Sequence, residues 1–331
     1  MVLTPPDALS DEGLVRVLRD GWGVVAASVE YRAVGFGSHH WNVLGADGLR
    51  RFLTVDDLET KRESLLEPAT RAYERLQAAL ATARELHRAG ASFVVAPIPT
   101  VAGEPVVRTE GRFAAALYPY VEGESYAWGD FSTPAHRAGV LDCLVALHGK
   151  STSTLPSSTD DGLCVPHRDE LGAALQAGGA AVEEGPYARL VSQLLIRNAD
   201  KIRRLLARYD DLVHEHRHEP VPTVVTHGEP HAGNTMLTAA GWVLVDWDTA
   251  LLAPPERDLW SLDPGDGSAL RAYAGATGVV PRPLLLELYA VRWDLADIAA
   301  CVSQLRAARS DRPDDQQSWD VLSALIARLP G

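Results

Sequence analysis

The chain has 331 residues, enough for two lobes with separate cores, and its 46% hydrophobic and 23% charged content is that of an ordinary globular protein. Thirty-one basic residues against 44 acidic ones give a net charge of −13, which speaks against nucleic acid as a partner because nucleic acid needs a basic footprint. No apolar run approaches the roughly 18 residues of a membrane span; the first residues lack a leader pattern, and Cys143, Cys164 and Cys301 lie too far apart for a disulfide framework, so a cytoplasmic protein is expected.

Residues 8–20 carry Leu14, Val17 and Leu18 at helical spacing, with Ser10 as N-cap and Gly21 as stop. Val24 to Val34 reads as a strand that ends in Gly35-Phe36-Gly37-Ser38. Glycines there would let backbone amides approach phosphate oxygens without a Cβ in the way, which makes Gly35, Gly37 and Ser38 candidates for nucleotide binding. Two further strands follow, Trp41–Leu44 and Leu49–Val55, joined by the turn Ala46-Asp47-Gly48. Beside such a loop, a lysine near the end of the third strand would pair with phosphates. Here that position is Thr54, and the first of only three lysines is Lys61, the candidate substitute.

Residues 64–89 form the longest helical pattern, with Leu76, Leu80, Ala83 and Leu86 on one stripe and Gly90 as terminator. Glu67, Glu74 or Glu85 would lie on it as partner for a basic group. Residues 93–96 and 113–118 read as two more strands, the second running into a Pro119–Gly123 connector. Helices are expected over 134–149, 169–178, 186–213, 268–276, 283–308 and 315–329, with loops over 151–168 and 177–185.

The chemistry concentrates between Val221 and Trp260. One apolar run ends in His227-Gly228-Glu229, Asn234 follows five residues later, and a second apolar run ends in Asp246-Trp247-Asp248. Carboxylate, amide and carboxylate at strand ends form an inventory for holding Mg²⁺ and a hydroxyl beside a nucleoside triphosphate. In this order Glu229 is the candidate catalytic residue, and Asn234 and Asp246 are the candidate metal ligands. His227 and His231 have the spacing of a helical zinc pair, but Gly228, Pro230 and Gly233 argue against a helix. Further carboxylates gather downstream, and Asp248, Glu256, Asp258 and Asp294, with Trp293 among them, are candidates for holding an amine-bearing acceptor.

His-Gly-Glu-x-His-x-Gly-Asn, then Val-Asp-Trp-Asp, then Pro-x-Glu-Arg-Asp-Leu, resembles the aminoglycoside phosphotransferase family, particularly its spectinomycin-type antibiotic kinases. The resemblance runs from about Tyr31 to near the C-terminus. It implies an α+β, protein-kinase-like bilobal fold, with a β-rich N-terminal lobe over residues 1–120 and a mostly helical lobe over 121–331. It implies Mg²⁺ and ATP or GTP, with Tyr118 at the back of the base pocket and Val121 offering backbone contacts to the base. The implied partner is a small hydroxylated antibiotic, met by a monomer or homodimer. The sequence departs from the family at Glu229, where the catalytic residue is usually Asp, and at Thr54.

Overall fold

The computed structural model of the chain describes residues 3–155, 157–177, 185–218, 221–308 and 311–330. Helix α1 (Asp11–Trp22) starts where the Ser10 hydroxyl accepts from the Gly13 N–H at 3.1 Å. It runs past Gly21, because Gly23 is the residue that takes the left-handed cap conformation, φ 67°. Strands β1 (Ala26–Arg32), β2 (Ser38–Gly45) and β3 (Arg50–Asp57) follow, then helix α2 (Ala69–Arg88) and strands β4 (Val107–Thr109) and β5 (Phe113–Pro119). They form one antiparallel sheet in the order β1-β2-β3-β5-β4.

Period-two alternation sorts this sheet into two faces. Leu53 and Val55 of β3 join Phe113, Ala115 and Leu117 of β5 in a core with Leu14 and Leu18 of α1. Ala114, Ala116 and Tyr118 point to the other face, where Leu76 and Leu80 of α2 pack on them. Thr54 and Asp56 of β3 share that second face. The strand expected over 93–96 does not form. Val94 makes a single bridge to Leu244, with Val95 N–H donating to Leu244 O at 3.1 Å, so this segment docks on the C-terminal half instead of extending the sheet. Pro97 and Pro99 follow at once and remove the amides a longer ladder would need.

The remainder is mostly helical: α3 (Pro134–His148), α4 (Arg168–Gln176), α5 (Ala188–Arg217), α6 (Glu256–Leu259), α7 (Ser268–Thr277), α8 (Pro283–Ala307) and α9 (Pro313–Arg328). The connection expected over 177–185 falls largely outside the described residues. Between α5 and α6 lie short strands β7 (Val224–Thr226), β8 (Thr235–Thr238), β9 (Gly241–Leu244) and β10 (Leu251–Ala253). β8 and β9 form the expected hairpin, and β6 (Glu124–Ser125), just beyond the Pro119–Gly123 connector, pairs with β8. The connector from the sheet is thereby stitched to the hairpin. The hairpin in turn lies on α3, where Trp242 stacks on His136 at 4.3 Å and His136 Nε2 meets Thr235 Oγ1 at 2.7 Å. Among the described residues no helix is long and apolar enough to cross a membrane.

Candidate active site

The loop from His227 to Asn234 joins β7 to β8, and buried polar groups hold it from beneath. The Asp258 carboxylate, fully buried, accepts the His227 N–H at 2.9 Å and the Gly228 N–H at 2.6 Å. His148 Nε2 lies 3.1 Å from the same carboxylate, and its Nδ1 meets the Tyr273 hydroxyl at 2.9 Å. Burial raises the Asp258 pKa, but the His148 hydrogen bond and neighbouring positive charge outweigh it and hold the group below the usual carboxylate range. Arg257 donates to Thr226 Oγ1 at 2.8 Å and Thr249 O at 2.9 Å, and its guanidinium fills the space where a Cβ on Gly228 would stand. Gly228 also has φ 99°, so glycine is required there twice over. Burial keeps His227 neutral. Its Nε2 lies 2.9 Å from Val245 O, tying this loop to the second strand end, and its Nδ1 accepts the Glu229 N–H. His227 and His231 are on no helix, so the helical spacing of a zinc pair does not arise.

Glu229, Asn234 and Asp246 converge on top of this base. Asn234 Nδ2 donates to Glu229 O at 3.0 Å, and Asn234 O accepts from Val245 N. The amide oxygen is therefore the Asn234 atom left for a cation. Asp246 has φ 65°, a conformation costly for a non-glycine residue and most often found at functional sites. It is open to solvent yet densely surrounded. Burial, then Asp248, raises its carboxyl well above the ordinary range, with Glu229 and Asp56 adding to the effect. Burial, then Asp248, also pushes Glu229 up to about 7.

Four carboxylates thus face one ammonium. Lys61 Nζ lies 2.6 Å from Asp248 Oδ2 and 3.2 Å from Asp56 Oδ1. Burial alone would lower its pKa, but Asp248, Asp56 and Asp246 override that and hold it well above its usual value. An ammonium therefore stands among these carboxylates, carried by a lysine a few residues beyond the third strand. Arg75 of α2 anchors it by donating to Lys61 O at 2.9 Å. None of the three glutamates expected on that helix pairs with Lys61. Glu67 pairs with Arg75, Glu74 with Arg71, and Glu85 accepts from Ser157. At the expected lysine position, Thr54 Oγ1 lies 3.2 Å from Nδ1 of His40, its register partner on β2, and His40 stacks on Phe52.

Gly35 and Gly37 have φ 73° and 82°, and a Cβ on Gly37 would stand 3.9 Å from Lys61 Nζ, so the loop lies directly over the lysine. Ser38 is different. Its hydroxyl donates to Asp56 at 2.6 Å and is buried, so that side chain is committed to the carboxylate beside Lys61. Tyr118 stands deep behind the cluster. Burial, then Asp246, Asp56 and Asp248, raises its hydroxyl well above 10. Val121 lies in the half-exposed connector, which Arg50 clasps through Glu122 at 2.9 Å and the Tyr120 ring at 3.5 Å.

The downstream acidic candidates separate. Asp248 belongs to the cluster through Lys61. Asp258 does not face an acceptor, because its oxygens are spent on buried backbone amides and His148. Glu256 is 1% exposed and accepts the Arg282 N–H at 2.7 Å, so it too points inward. Asp294 is paired with Arg328. Trp293 lies at the site, 6.4 Å between ring centroids from His231, whose Nε2 is 4.0 Å from Glu229. Trp247 is core, fully buried against His227. Sequence reasoning gives no sign that Asp56, His40 and Trp128 lie beside the candidate site. Long-range packing brings them there, and no local motif marks them, whereas His231 stands in the His-Gly-Glu-x-His motif and Asp297 shares a helical face with Asp294.

The oxygen-rich donor set fits Mg²⁺. Among the described residues no three His, Cys, Asp or Glu side chains are placed to cage a metal. Asn234 and Asp246 would supply two ligands and leave phosphate and water oxygens to complete the shell, the usual mode for this ion.

Known proteins share the sequence pattern and the fold. The pattern described as the phosphotransferase enzyme family matches residues 35–284. Protein StrN of Streptomyces griseus is 29% identical over 257 residues, 74% of this chain and 75% of that protein. Spectinomycin phosphotransferase, solved in complex with ADP and spectinomycin, superposes with a TM-score of 0.68 at 16% identity, covering 96% of this chain and 97% of that one. An ethanolamine kinase of Plasmodium vivax gives a TM-score of 0.54 at 10% identity, covering 90% and 82%. At such identities these two structures establish the kinase-like fold.

Proposed function

The chain belongs to the phosphotransferase enzyme family, that of the aminoglycoside phosphotransferases, and from that premise we propose that it moves the γ-phosphate of ATP or GTP to a hydroxyl of a small-molecule antibiotic. The convergence of Glu229, Asn234, Asp246 and Lys61 carries this reading. Lys61, released from Asp248, pairs with the donor's phosphates beneath the glycine loop. Asn234 and Asp246 hold Mg²⁺, which when bound neutralises charge developing on the transferred phosphoryl group. Glu229 orients the acceptor hydroxyl and takes its proton. Its extra methylene relative to Asp sets that hydroxyl farther from the loop. Phosphoryl transfer depends on positioning more than on base strength, so Glu is chemically adequate. Residues 1–120 form the nucleotide lobe and 121–331 the acceptor lobe of a cytoplasmic enzyme, monomeric or homodimeric.

The ADP and spectinomycin bound to the structural relative support an antibiotic acceptor, and the ethanolamine kinase supports a second reading, a small-metabolite kinase. The test is Mg²⁺-dependent ADP and GDP formation with a panel of hydroxylated antibiotics beside ethanolamine and choline. Stimulation by an antibiotic, with a phosphate monoester in the ³¹P spectrum, is expected. Stimulation by the amino alcohols alone would favour the metabolite kinase, and no turnover with any acceptor would leave an inactive nucleotide-binding protein. For the donor, Tyr118 fills the back of the base pocket and pushes the purine toward the connector, where guanine's edge can pair. GTP should therefore be accepted, and Tyr118→Ala should shift the ATP-to-GTP ratio of kcat/KM toward ATP. A strong ATP preference in the wild type would refute this.

A further inference from the structure

An unbroken row of aromatic rings runs past Glu229. Trp128 lies 6.5 Å from His231, His231 lies 6.4 Å from Trp293, and Trp293 lies 5.5 Å from Trp260, all between ring centroids. Four chain segments supply it: the stretch after β6, the catalytic loop, the end of α6, and α8. Trp128 is 60% exposed, although its backbone is wedged tightly on Gly233 of the catalytic loop. Its indole therefore stands at the open end of the row, where a ligand can reach it. His231 stands in the row between the two indoles, edge-on to each.

The acidic residues beside the row are fewer than the sequence suggests. Asp258 and Glu256 face inward, and Asp294 is neutralised by Arg328. Outside the catalytic cluster of Glu229, Asp246, Asp248 and Asp56, that leaves Asp297, one helical turn from Trp293 on α8, hydrogen-bonded to Trp293 and close enough to Glu229 to influence it electrostatically. Burial, followed by Asp294, raises its carboxyl to about 6.

We infer that the acceptor subsite is an aromatic wall with one anionic anchor, built for a hydroxylated ligand that carries a single ammonium and a flat or apolar face, and not for a polycation. The inference rests on the phosphotransfer reading for its use of Glu229. Indole faces attract a weakly hydrated alkylammonium through cation–π contact and stack on apolar rings. A polycation would bring several charges to a wall that offers one carboxylate, Asp297, beyond the catalytic cluster already committed to Lys61 and the metal.

Equilibrium titration of the full chain by tryptophan fluorescence, with trimethylphenylammonium and with spermine at matched ionic strength, tests this. Trimethylphenylammonium should bind the wild type at least tenfold more tightly than spermine. Trp128→Leu and Asp297→Asn should each weaken it about tenfold and leave spermine unchanged. Trp293→Leu should do the same wherever circular dichroism shows it folded, and the exposed Trp128 keeps the test decisive if it does not fold. Tighter binding of spermine, or unchanged binding of trimethylphenylammonium in Trp128→Leu and Asp297→Asn, overturns the inference. Nucleotide turnover is scored separately. Monocation binding without turnover would sink the phosphotransfer reading and spare the subsite. Turnover without monocation binding would do the reverse.

Discussion

On the sheet side of the cleft, polar groups meet through contacts that can be exchanged. Lys61 pairs with Asp56 and Asp248, the glycine loop lies above it, and Arg50 clasps the connector from the solvent side. On the hairpin side, the polar groups beneath the catalytic loop are buried and their hydrogen bonds are fully used. Asp258 takes two backbone amides, His148 backs it, His227 spans two strand ends, and Arg257 fills the space beside Gly228. The difference is one of consequence. A buried charge that loses its partners costs the fold, whereas an ion pair open to the cleft can trade its partner for a ligand. One wall is built to hold a geometry and the other to change partners.

The strongest way to break this comparison is Asp258→Ala. It leaves two loop amides unpaired in the core and should cost about 3–5 kcal/mol of stability, read as a lowered denaturation midpoint. A variant as stable as the wild type would show that the hairpin wall is not held this way. The same group predicts an acid limb. Its folded pKa lies below its ordinary value, so its stabilisation is present above the unfolded carboxylate pKa and is lost as pH falls through the depressed folded one. In Asp258→Asn that part of the acid destabilisation should disappear.

Next comes Asp246→Ala, which should lower kcat more than about 100-fold, since a lost metal ligand costs several kcal/mol of transition-state stabilisation. Its thermal midpoint should not fall, because the residue sits in a strained conformation among like charges. Retention of a tenth of the activity would remove Asp246 from the metal site. Glu229→Gln should lose most turnover while nucleotide binding survives, and Glu229→Asp should be worse than wild type if the acceptor is set for the longer side chain. Equal turnover by the Asp variant would show that Glu229 does not place the hydroxyl.

Lys61→Met sharpens the contrast. It should raise the nucleotide KM about tenfold, one charged contact's worth, while the fold survives. If it unfolds the protein instead, the sheet wall is no freer to exchange partners than the hairpin wall. The smallest effect is expected from Arg50→Ala, whose ion pair with Glu122 is exposed and worth under about 1 kcal/mol. Its nucleotide KM should move less than threefold.

Much of this is legible from spacing. Ser10 as a cap, the two glycines between β1 and β2, the β8–β9 hairpin, and the long helices α2, α5 and α8 all follow from local pattern, and the structure places them where that pattern does. The order Glu229, Asn234, Asp246 points to the candidate site because those residues lie in the loops that flank the β8–β9 hairpin. The segment 93–96 looks like a strand because its residues are apolar and β-branched, yet that composition does not say which partner it docks against. Glu256 and Asp258 look like surface acids for the same reason, since a carboxylate in a sequence does not show whether it meets water or buried amides.

The sequence by itself determined which backbone conformations each segment prefers and which residue types reach the strand ends, because propensity and periodicity act over a few residues. Only the tertiary structure decided where charge is compensated. Lys61 meets Asp248 across 187 positions of chain, and His148 meets Asp258 across 110. Such pairs arise from how packed layers bring distant segments within about 3 Å, and at that range burial decides whether a carboxylate serves the fold or remains free for a ligand.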